Sequence, residues 1–286
     1  MKKIIFTSLL YLLSASIFYG QSKPIRLIIR GDDMGYSHSG NEAIIHCYKN
    51  GIEKSIEIIV PSPWFPEAVK LLKENPGVDV GIHLAITSEW DNIKWRPLTD
   101  CKSLKDEDGY FFPMVWPNKN YPGKSITEKQ WKLEDIEKEF RAQIEMAIKK
   151  IPDISHISDH MGCSAINDSV SLLTVRLAKE YHLNIDLQQL GVQWVGYEGA
   201  HTTLDEKIES FTKMLNKLQP GNTYIFLDHP GFDGPELRAI HHIGYENVAV
   251  DRQSVTDLWT SDAIKALIKN KEIELISYKD LFTSQK

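Results

Sequence analysis

The chain has 286 residues, of which 42% are hydrophobic and 25% are charged. This composition is that of a globular protein with a full core, and it excludes a disordered, collagen-like or coiled-coil chain. The formal net charge is −6, so the chain has no overall electrostatic attraction to nucleic acid. We therefore expect no nucleic acid partner and a neutral or cationic ligand.

The first twenty residues are predicted to be a secretory signal peptide. Lys2 and Lys3 precede an apolar run from Ile4 to Leu13, and small residues follow at Ser14 to Ser16. The run is too short for a permanent transmembrane helix, although a retained anchor is the alternative. We expect an exported protein, periplasmic or extracellular, with no stable membrane anchor and a single domain over residues 21–286. Without Lys2 and Lys3, 31 of the 33 basic residues remain against 39 acidic ones, a net charge of −8.

The chain has three cysteines, Cys47, Cys101 and Cys163. Their spacing matches neither a disulfide framework nor a zinc cluster. At most one intrachain disulfide can form, and three buried thiols are the alternative.

Short β-rich runs alternate with helical patterns. The predicted strands are Ile25 to Arg30, Ser55 to Val60, Val78 to Leu84, Ile154 to Ser158, Leu183 to Leu187, Thr223 to Leu227 and Glu272 to Ser277. The predicted helices are Gly40 to Asn50, Pro63 to Asn75, Thr127 to Lys150, Asn167 to Tyr181, Leu204 to Leu218 and Ser254 to Lys269. Thr127, with Gln130 three residues later, is the predicted N-cap of the helix Thr127 to Lys150. Asn167 is the predicted N-cap of the helix Asn167 to Tyr181.

Several of these strands are almost continuously apolar, which is typical of strands buried on both faces of a parallel sheet. The alternation predicts an α/β fold, a (β/α) barrel of distorted TIM-like form. Its active site is expected at the carboxyl ends of the parallel strands.

Residues 86–125 interrupt the alternation. This insertion contains four prolines and the tryptophans Trp90, Trp95 and Trp116, and it has no sustained hydrophobic period. Its aromatic content argues against disorder. Because aromatic rings pack well on sugar faces, we expect the insertion to form a wall of the active site that contacts substrate. Packing against the outside of the barrel is the alternative.

Four motifs place acidic and histidine side chains at the ends of predicted strands. In chain order they are Gly31-Asp32-Asp33, Gly81-Ile82-His83, His156-Ile157-Ser158-Asp159-His160 and Leu227-Asp228-His229-Pro230. Each motif alone is explained equally well by an ordinary turn or a structural histidine. Together, one carboxylate and two imidazoles from separate strand ends would form a three-ligand metal site with positions left for water. A nearby histidine could protonate a leaving group.

In this order the motifs resemble those of the YdjC-like carbohydrate deacetylases, also called the ChbG family, which are related to the polysaccharide deacetylases. The resemblance runs through GDDMGYS, GIHL, HISDHMG and LDHPG, then Asp251-Arg252 and ELISYKDL, from about Ile25 to Phe282. One departure lies after the fourth strand, where the chain reads SDHMG and many family members have DSHxH.

The resemblance implies a role for each motif residue. The implied ligands of one divalent metal ion are Asp33, His83 and His160. Zn²⁺ or Mg²⁺ is the favoured ion, with Co²⁺ and Ni²⁺ as alternatives. The implied general base is Asp32, and the implied general acid is His229. Asp159 and His156 are candidates for contacts that support the metal ligands.

The implied reaction is hydrolysis of an N-acetyl group on an amino sugar or acetylated oligosaccharide, with release of acetate. The alternatives are a metal-dependent O-acetyl esterase, another glycan hydrolase, and a sugar-binding protein without catalysis. A retaining glycosidase is disfavoured, because it needs two carboxyl groups about 5 Å apart that flank the sugar. Asp32 and Asp33 are instead adjacent in the sequence. A homodimer is one option for the assembly.

Residues 1–20 generate a first prediction. When the full chain is expressed in a bacterium with two membranes, we expect cleavage near residue 20 and recovery of the shortened chain outside the cytosol. Fractionation followed by mass spectrometry of the N-terminus measures this. As a control, Leu9→Arg with Leu10→Arg interrupts the apolar run and should keep the chain uncleaved. An uncleaved wild-type chain in the cytosol would contradict the prediction.

Overall fold

The structure, a computed structural model, describes residues 23–151, 153–183 and 186–283. The strands in these ranges are β1 (Ile25–Met34), β2 (Ser55–Ile58), β3 (Asp79–Leu84), β4 (Ile154–Asp159), β5 (Val192–Trp194), β6 (Thr223–Asp228) and β7 (Ile273–Ile276). The predicted signal peptide lies outside the described residues and stays a prediction. Within the described ranges, no helix combines the length and the apolar character needed to cross a bilayer.

Helices connect the strands and cover the sheet. They are α1 (His38–Asn50), α2 (Phe65–Glu74), α3 (Leu133–Lys150), α4 (Asp168–Glu180), α5 (Leu204–Lys217), α6 (Pro235–Arg238), α7 (Val248–Thr260), α8 (Asp262–Asn270) and α9 (Asp280–Thr283). The insertion between β3 and α3 contains only the short 3₁₀ turn Lys102–Leu104 and isolated bridges before a second 3₁₀ turn at Ile126–Glu128.

All strand pairs are parallel, in the order β4-β3-β2-β1-β6-β5, and β7 also pairs with β1. β1 therefore has three partners for two edges. β6 pairs along Arg26 to Gly31, whereas β7 pairs along Ile25 to Ile28 and β2 from Arg30 onward. β7 and β2 thus share one edge of β1, and this divided pairing makes the curled sheet a distorted barrel.

The core lies on both sides of the central strands. One cluster joins β2 and β3 to α3 and α4 through residues such as Ile56, Ile82 and Phe140. A second joins β1 and β6 to α5 and α7 through Leu27 and Trp259 among others. Each large apolar side chain that is fully buried contributes about 1.5–3 kcal/mol to folding. This packing fixes the strands whose carboxyl ends carry the motifs.

Most predicted elements are present, with three differences. The predicted strand Leu183 to Leu187 includes residues 184 and 185, which lie outside the described residues. The described part of this segment is turn or irregular, and the strand of this region is β5. The predicted helix Ser254 to Lys269 is two helices, because Ser261 leaves helical geometry and its side chain caps α8. Thr127 is not an N-cap: Ser125 forms a capping box with Glu128 instead.

The Asn167 cap generates a second prediction. The side chain of Asn167 accepts a hydrogen bond from Val170 N at the start of α4, as the sequence predicts. We expect Asn167→Ala to lower the free energy of unfolding by about 1 kcal/mol, because that amide loses its acceptor. Thermal and urea denaturation measure the change. Gln130→Ala is the control, since Gln130 is exposed and lies outside the cap; an equal loss there would contradict the assignment.

Candidate active site

The carboxyl ends of β1, β3 and β4 bring three predicted metal ligands together. Asp33, His83 and His160 each offer one ligand atom, and these atoms lie within 4.8 Å of one another. Asp33 Oδ1 is 3.1 Å from His160 Nδ1 and 3.7 Å from His83 Nε2. All three side chains are buried. Parallel strands carry their terminal side chains to one edge, which explains how residues so distant in sequence meet.

The end of β1 is distorted so that two adjacent carboxylates both face this edge. Successive strand residues normally point to opposite faces. Here the register between β1 and β2 shifts between Gly31 and Met34, and Asp33 has a positive φ of 70°. A bulge of this kind re-aims a side chain, and left-handed geometry at a non-glycine residue is a strain that occurs mainly at functional sites.

Asp32 is held by a bidentate ion pair. Arg30 Nε donates to Asp32 Oδ1 at 2.7 Å, and its terminal nitrogen donates to Oδ2 at 2.8 Å. Tyr278 accepts a further hydrogen bond from Arg30 at 2.9 Å. The planar guanidinium matches the carboxylate geometry, so it both compensates the buried charge and fixes the plane of the carboxylate.

The two histidines of the cluster have partners on their far nitrogens. His83 Nδ1 lies 2.7 Å from Ser158 Oγ, and His160 Nε2 lies 3.0 Å from Glu89 Oε2. An N–H directed to such an acceptor leaves the other ring nitrogen free to bind a metal. His160 enters the site through a tight turn in which Met161 has a positive φ of 53°.

Burial and charge set the protonation of the cluster. Burial would raise the pKa of Asp33, but His160, His229 and Arg252 outweigh it and hold that pKa well below its usual range. Burial would lower the pKa of His160, but Glu89 and Asp33 hold it well above its usual range. Burial lowers the pKa of His83. The metal-free cluster is therefore an ion pair of Asp33 and protonated His160 beside a neutral His83.

His229 stands on the outer side of the cluster, after β6. Its Nε2 is 3.7 Å from Asp33 Oδ2, and its side chain is 33% exposed. Asp228 accepts from the backbone N–H of His229 at 2.8 Å and from the Tyr197 hydroxyl at 2.7 Å. Burial would lower the pKa of His229, but Asp33 and Asp228 raise it. The imidazole is thus partly accessible to solvent, and its pKa is raised.

Arg252, on α7, fixes the second oxygen of Asp33. It donates to Asp33 Oδ2 at 3.0 Å, and its guanidinium lies over the rings of Tyr36 and Trp90, 4.5 Å and 5.2 Å from their centroids. Asp33 Oδ1, in contrast, is buried and has no hydrogen bond of good geometry in the described residues, although His160 Nδ1 lies 3.1 Å away. One oxygen is therefore occupied and the other is directed at the two imidazoles.

Two further predicted residues, His156 and Asp159, lie outside the three-residue cluster. His156 is fully buried and contacts Glu57 at 2.5 Å, one layer below the ligands. Asp159 accepts from the backbone N–H of Ser164 in the turn after β4. In the described residues it has no hydrogen bond to a side chain of the three proposed ligands, so its role stays a prediction.

The insertion is partly a wall of the site and partly packed on α3. Trp90 and Trp95 are buried, and the Trp95 ring centroid is 6.4 Å from that of His160. Trp116 is 44% exposed, and its indole nitrogen lies near Gly162 in the His160 turn. Farther along, Glu139 of α3 accepts from the backbone N–H groups of residues 98 and 99. Among the three tryptophans, Trp116 offers an exposed ring near Gly162, in the turn that follows His160.

Sequence reasoning missed several residues that complete the site. They are Arg30, Glu57, Glu89, Ser158 and Arg252. Two of them left a signal, because Arg30 and Glu57 are charged residues inside otherwise apolar strands, which is costly without a buried partner. Ser158 and Arg252 lie inside the quoted motifs HISDHMG and Asp251-Arg252, but the motifs gave them no role. Glu89 left no signal, since its role depends on a contact between distant segments.

The donor set fits a divalent metal ion. One carboxylate oxygen without a hydrogen bond faces two imidazole nitrogens whose partners leave the metal-facing atoms free, which is the arrangement of three-ligand catalytic sites. Imidazole and carboxylate together suit zinc and the later transition metals, and a carboxylate also suits magnesium.

Comparison with known proteins places this geometry in a family. The family model described as YdjC-like protein matches residues 26–270. The chain belongs to the YdjC-like family. The motif resemblance is thereby confirmed, and the three-ligand cluster, the Arg30–Asp32 pair and His229 all lie within the matched residues.

Relatives and a solved structure agree with this assignment. A carbohydrate deacetylase of Clostridium beijerinckii is 32% identical over 267 residues, covering 90% of this chain and 100% of the relative. A carbohydrate deacetylase of Listeria monocytogenes is 27% identical over 264 residues, with the same two coverages. A solved structure from Enterococcus faecalis V583, named for cellobiose-phosphate cleavage, has a TM-score of 0.68 at 22% identity and covers 91% of this chain and 99% of that one. This likeness confirms the predicted fold.

The protonated His160 generates a third prediction. At about pH 7, Zn²⁺ must displace the proton that Glu89 and Asp33 hold on His160, so we expect binding to release protons and affinity to rise with pH until the raised pKa is passed. Calorimetry in buffers of different ionisation enthalpy measures the release. Glu89→Gln removes a carboxylate that raises the pKa of His160, so it should release fewer protons. Equal release by both proteins would contradict this protonation state.

Proposed function

We propose that the protein is a metal-dependent carbohydrate deacetylase that removes N-acetyl groups from an amino sugar or acetylated oligosaccharide and releases acetate. The observation that carries the proposal is the division of two adjacent carboxylates: Asp33 faces two histidines, whereas Asp32 is held apart by Arg30. Membership of the YdjC-like family and relatives named carbohydrate deacetylase support it.

Asp33, His83 and His160 would hold the metal ion. When bound, the ion would supply a Lewis acid that polarises the acetyl carbonyl and makes a water molecule more acidic. Zn²⁺ or Mg²⁺ is the proposed ion, with Co²⁺ and Ni²⁺ as alternatives.

Asp32 is the proposed general base. It is not part of the ligand set, and both of its oxygens lie in the plane that Arg30 fixes. Asp32 Oδ2 is 3.8 Å from His83 Nε2, so it lies next to the position where a water molecule would be activated. A carboxylate placed there accepts the proton of the attacking water.

His229 is the proposed general acid. An amide leaves as an amine only if its nitrogen is protonated, and the raised pKa of His229, caused by Asp33 and Asp228, favours its protonated form. Its partial exposure lets the amino sugar approach from solvent. The base and the acid thus lie at different strand ends around the ligand set, at β1 and β6.

Trp116 is the proposed sugar-stacking residue. Its exposed ring beside the His160 turn is suited to pack on the apolar face of a pyranose. Trp90 and Trp95 are buried and support the wall from behind. The substrate is therefore expected to lie against the exposed part of the insertion.

Acetate release tests the proposed function and gives the fourth prediction. Purified protein loaded in turn with Zn²⁺, Mg²⁺, Co²⁺ or Ni²⁺ should release acetate from members of a panel of N-acetylated sugars and oligosaccharides. Asp32→Asn should lower kcat by about 10²–10⁴-fold, because the base is lost, and should still bind the metal. Asp262→Asn, an exposed surface change on α8, is the control.

The outcomes separate the proposal from its alternatives. Release from O-acetyl esters alone indicates an esterase, and sugar binding with no release indicates a protein without catalysis. Full activity of Asp32→Asn would overturn the assignment of the base.

A further inference from the structure

Beneath the ligand cluster lies a second layer of buried charge that the reaction itself does not use. Glu57 of β2 and His156 of β4 are both buried, and His156 Nε2 contacts Glu57 Oε1 at 2.5 Å. The backbone is adapted to this pair: a Cβ on Gly81 of β3 would overlap His156 Nε2 and Glu57 Oε2. A buried carboxylate costs desolvation energy unless it is paired and hydrogen-bonded, so the presence of Glu57 here calls for a role.

We propose that Glu57 is a positioning residue that acts through two branches, fixing the tautomer of His83 on one side and the orientation of Arg30 on the other. The inference rests on the proposed function for the roles of His83 and Arg30. The contacts of Glu57 that support the inference are all with other residues of the chain, and none involves a metal ion or a substrate.

The first branch leads to the metal ligand. The Ser158 hydroxyl donates to Glu57 Oε2. Having given its only proton to Glu57, Ser158 can only accept from His83 Nδ1, 2.7 Å away. The proton of neutral His83 is therefore on Nδ1, and the lone pair is on Nε2, the atom that faces Asp33. Glu57 thus selects the tautomer that can bind a metal, although it touches no ligand itself.

The second branch leads to the base. The His156 ring stacks on the Tyr278 ring with centroids 3.5 Å apart, and the Tyr278 hydroxyl accepts from Arg30 at 2.9 Å. Arg30 Nε is also 3.9 Å from Glu57 Oε1. Arg30 is therefore oriented by Tyr278 and by the charge of Glu57, and its other nitrogens donate to the two oxygens of Asp32.

The charge on Glu57 is consistent with both branches. Burial would raise the pKa of this carboxyl, but His156 and Arg30 outweigh it and bring the pKa to about 2. An ionised carboxylate has two acceptor oxygens, and each serves one neighbour. Glutamine at this position would have one acceptor and one donor, so it could not accept from both His156 and Ser158.

Metal affinity of the protein without substrate is the primary test and the fifth prediction. We expect Glu57→Gln to lower Zn²⁺ affinity by about 10–100-fold, the usual effect of losing an outer partner of a ligand. Ser158→Ala should lower it similarly. Both changes affect the metal affinity through the same branch. The Zn²⁺ affinity of the double variant should therefore be no lower than that of the single variant with the lower affinity.

The second branch, which orients Arg30, is tested by a separate variant. Tyr278→Phe removes the hydroxyl that holds Arg30, so kcat for acetate release should fall while KM and Zn²⁺ affinity stay at wild-type values. In Glu57→Gln, both kcat and Zn²⁺ affinity should fall. The nitrogen chemical shifts of His83 in the metal-free protein should move toward the other tautomer in Ser158→Ala and stay unchanged in Tyr278→Phe.

Glu53→Gln is the matched control. Glu53 is as fully buried as Glu57, but neither of its oxygens has a hydrogen-bond partner in the described chain. Burial and the charge of Asp32 raise its pKa well above the usual range, so glutamine resembles its protonated form. We expect wild-type metal affinity.

Two results would overturn the inference: wild-type Zn²⁺ affinity in both Glu57→Gln and Ser158→Ala, or an equal loss in Glu53→Gln. If Glu57→Gln does not fold, Ser158→Ala and Tyr278→Phe still test each branch. If the wild type binds Zn²⁺ but releases no acetate, the proposed function fails, whereas the affinity and chemical-shift measurements still decide the role of Glu57.

Discussion

The site depends on one constraint: two adjacent carboxylates, Asp32 and Asp33, must lie buried at the same strand end without repelling each other. Side by side and unpaired, they would share a proton. The chain separates them by giving each its own cation. Arg30 takes both oxygens of Asp32, while Arg252 takes one oxygen of Asp33 and leaves the other for His160. The bulge and the positive φ at the end of β1 are the backbone cost of this separation.

This separation gives chemically identical groups different tasks. A carboxylate whose two oxygens are occupied by a guanidinium is fixed in its plane and is a poor metal ligand. A carboxylate with one oxygen tied to Arg252 and one oriented towards His83 and His160 would be a metal ligand with a defined direction. The same principle of assigned partners extends outward, since Glu89 and Ser158 orient the imidazoles just as the arginines orient the acids.

The sequence predicted the parallel α/β barrel and brought Asp33 and His83 to one edge, because strand periodicity and strand ends are local signals. It could not predict Glu89 or Arg252, which reach the cluster from an irregular insertion and from a helix; their contacts exist only once the chain has folded. The predicted strand Leu183 to Leu187 shows the opposite error in the part that the structure describes. Leu183, Asp186 and Leu187 are turn or irregular there, and the edge of the sheet is formed by β5, since pairing geometry overrides local propensity.

The three-partner pairing of β1 also determines when the site can exist during synthesis. β7 leaves the ribosome after β1 to β6, yet it pairs with β1, and the hydroxyl of Tyr278, just beyond β7, accepts a hydrogen bond from Arg30. Contacts between such distant segments form late and slow folding. A chain synthesised only as far as β6 therefore has all the motif residues of the site but lacks the support beneath Asp32. Assembly of this strand edge is tied to the synthesis of β7 and Tyr278.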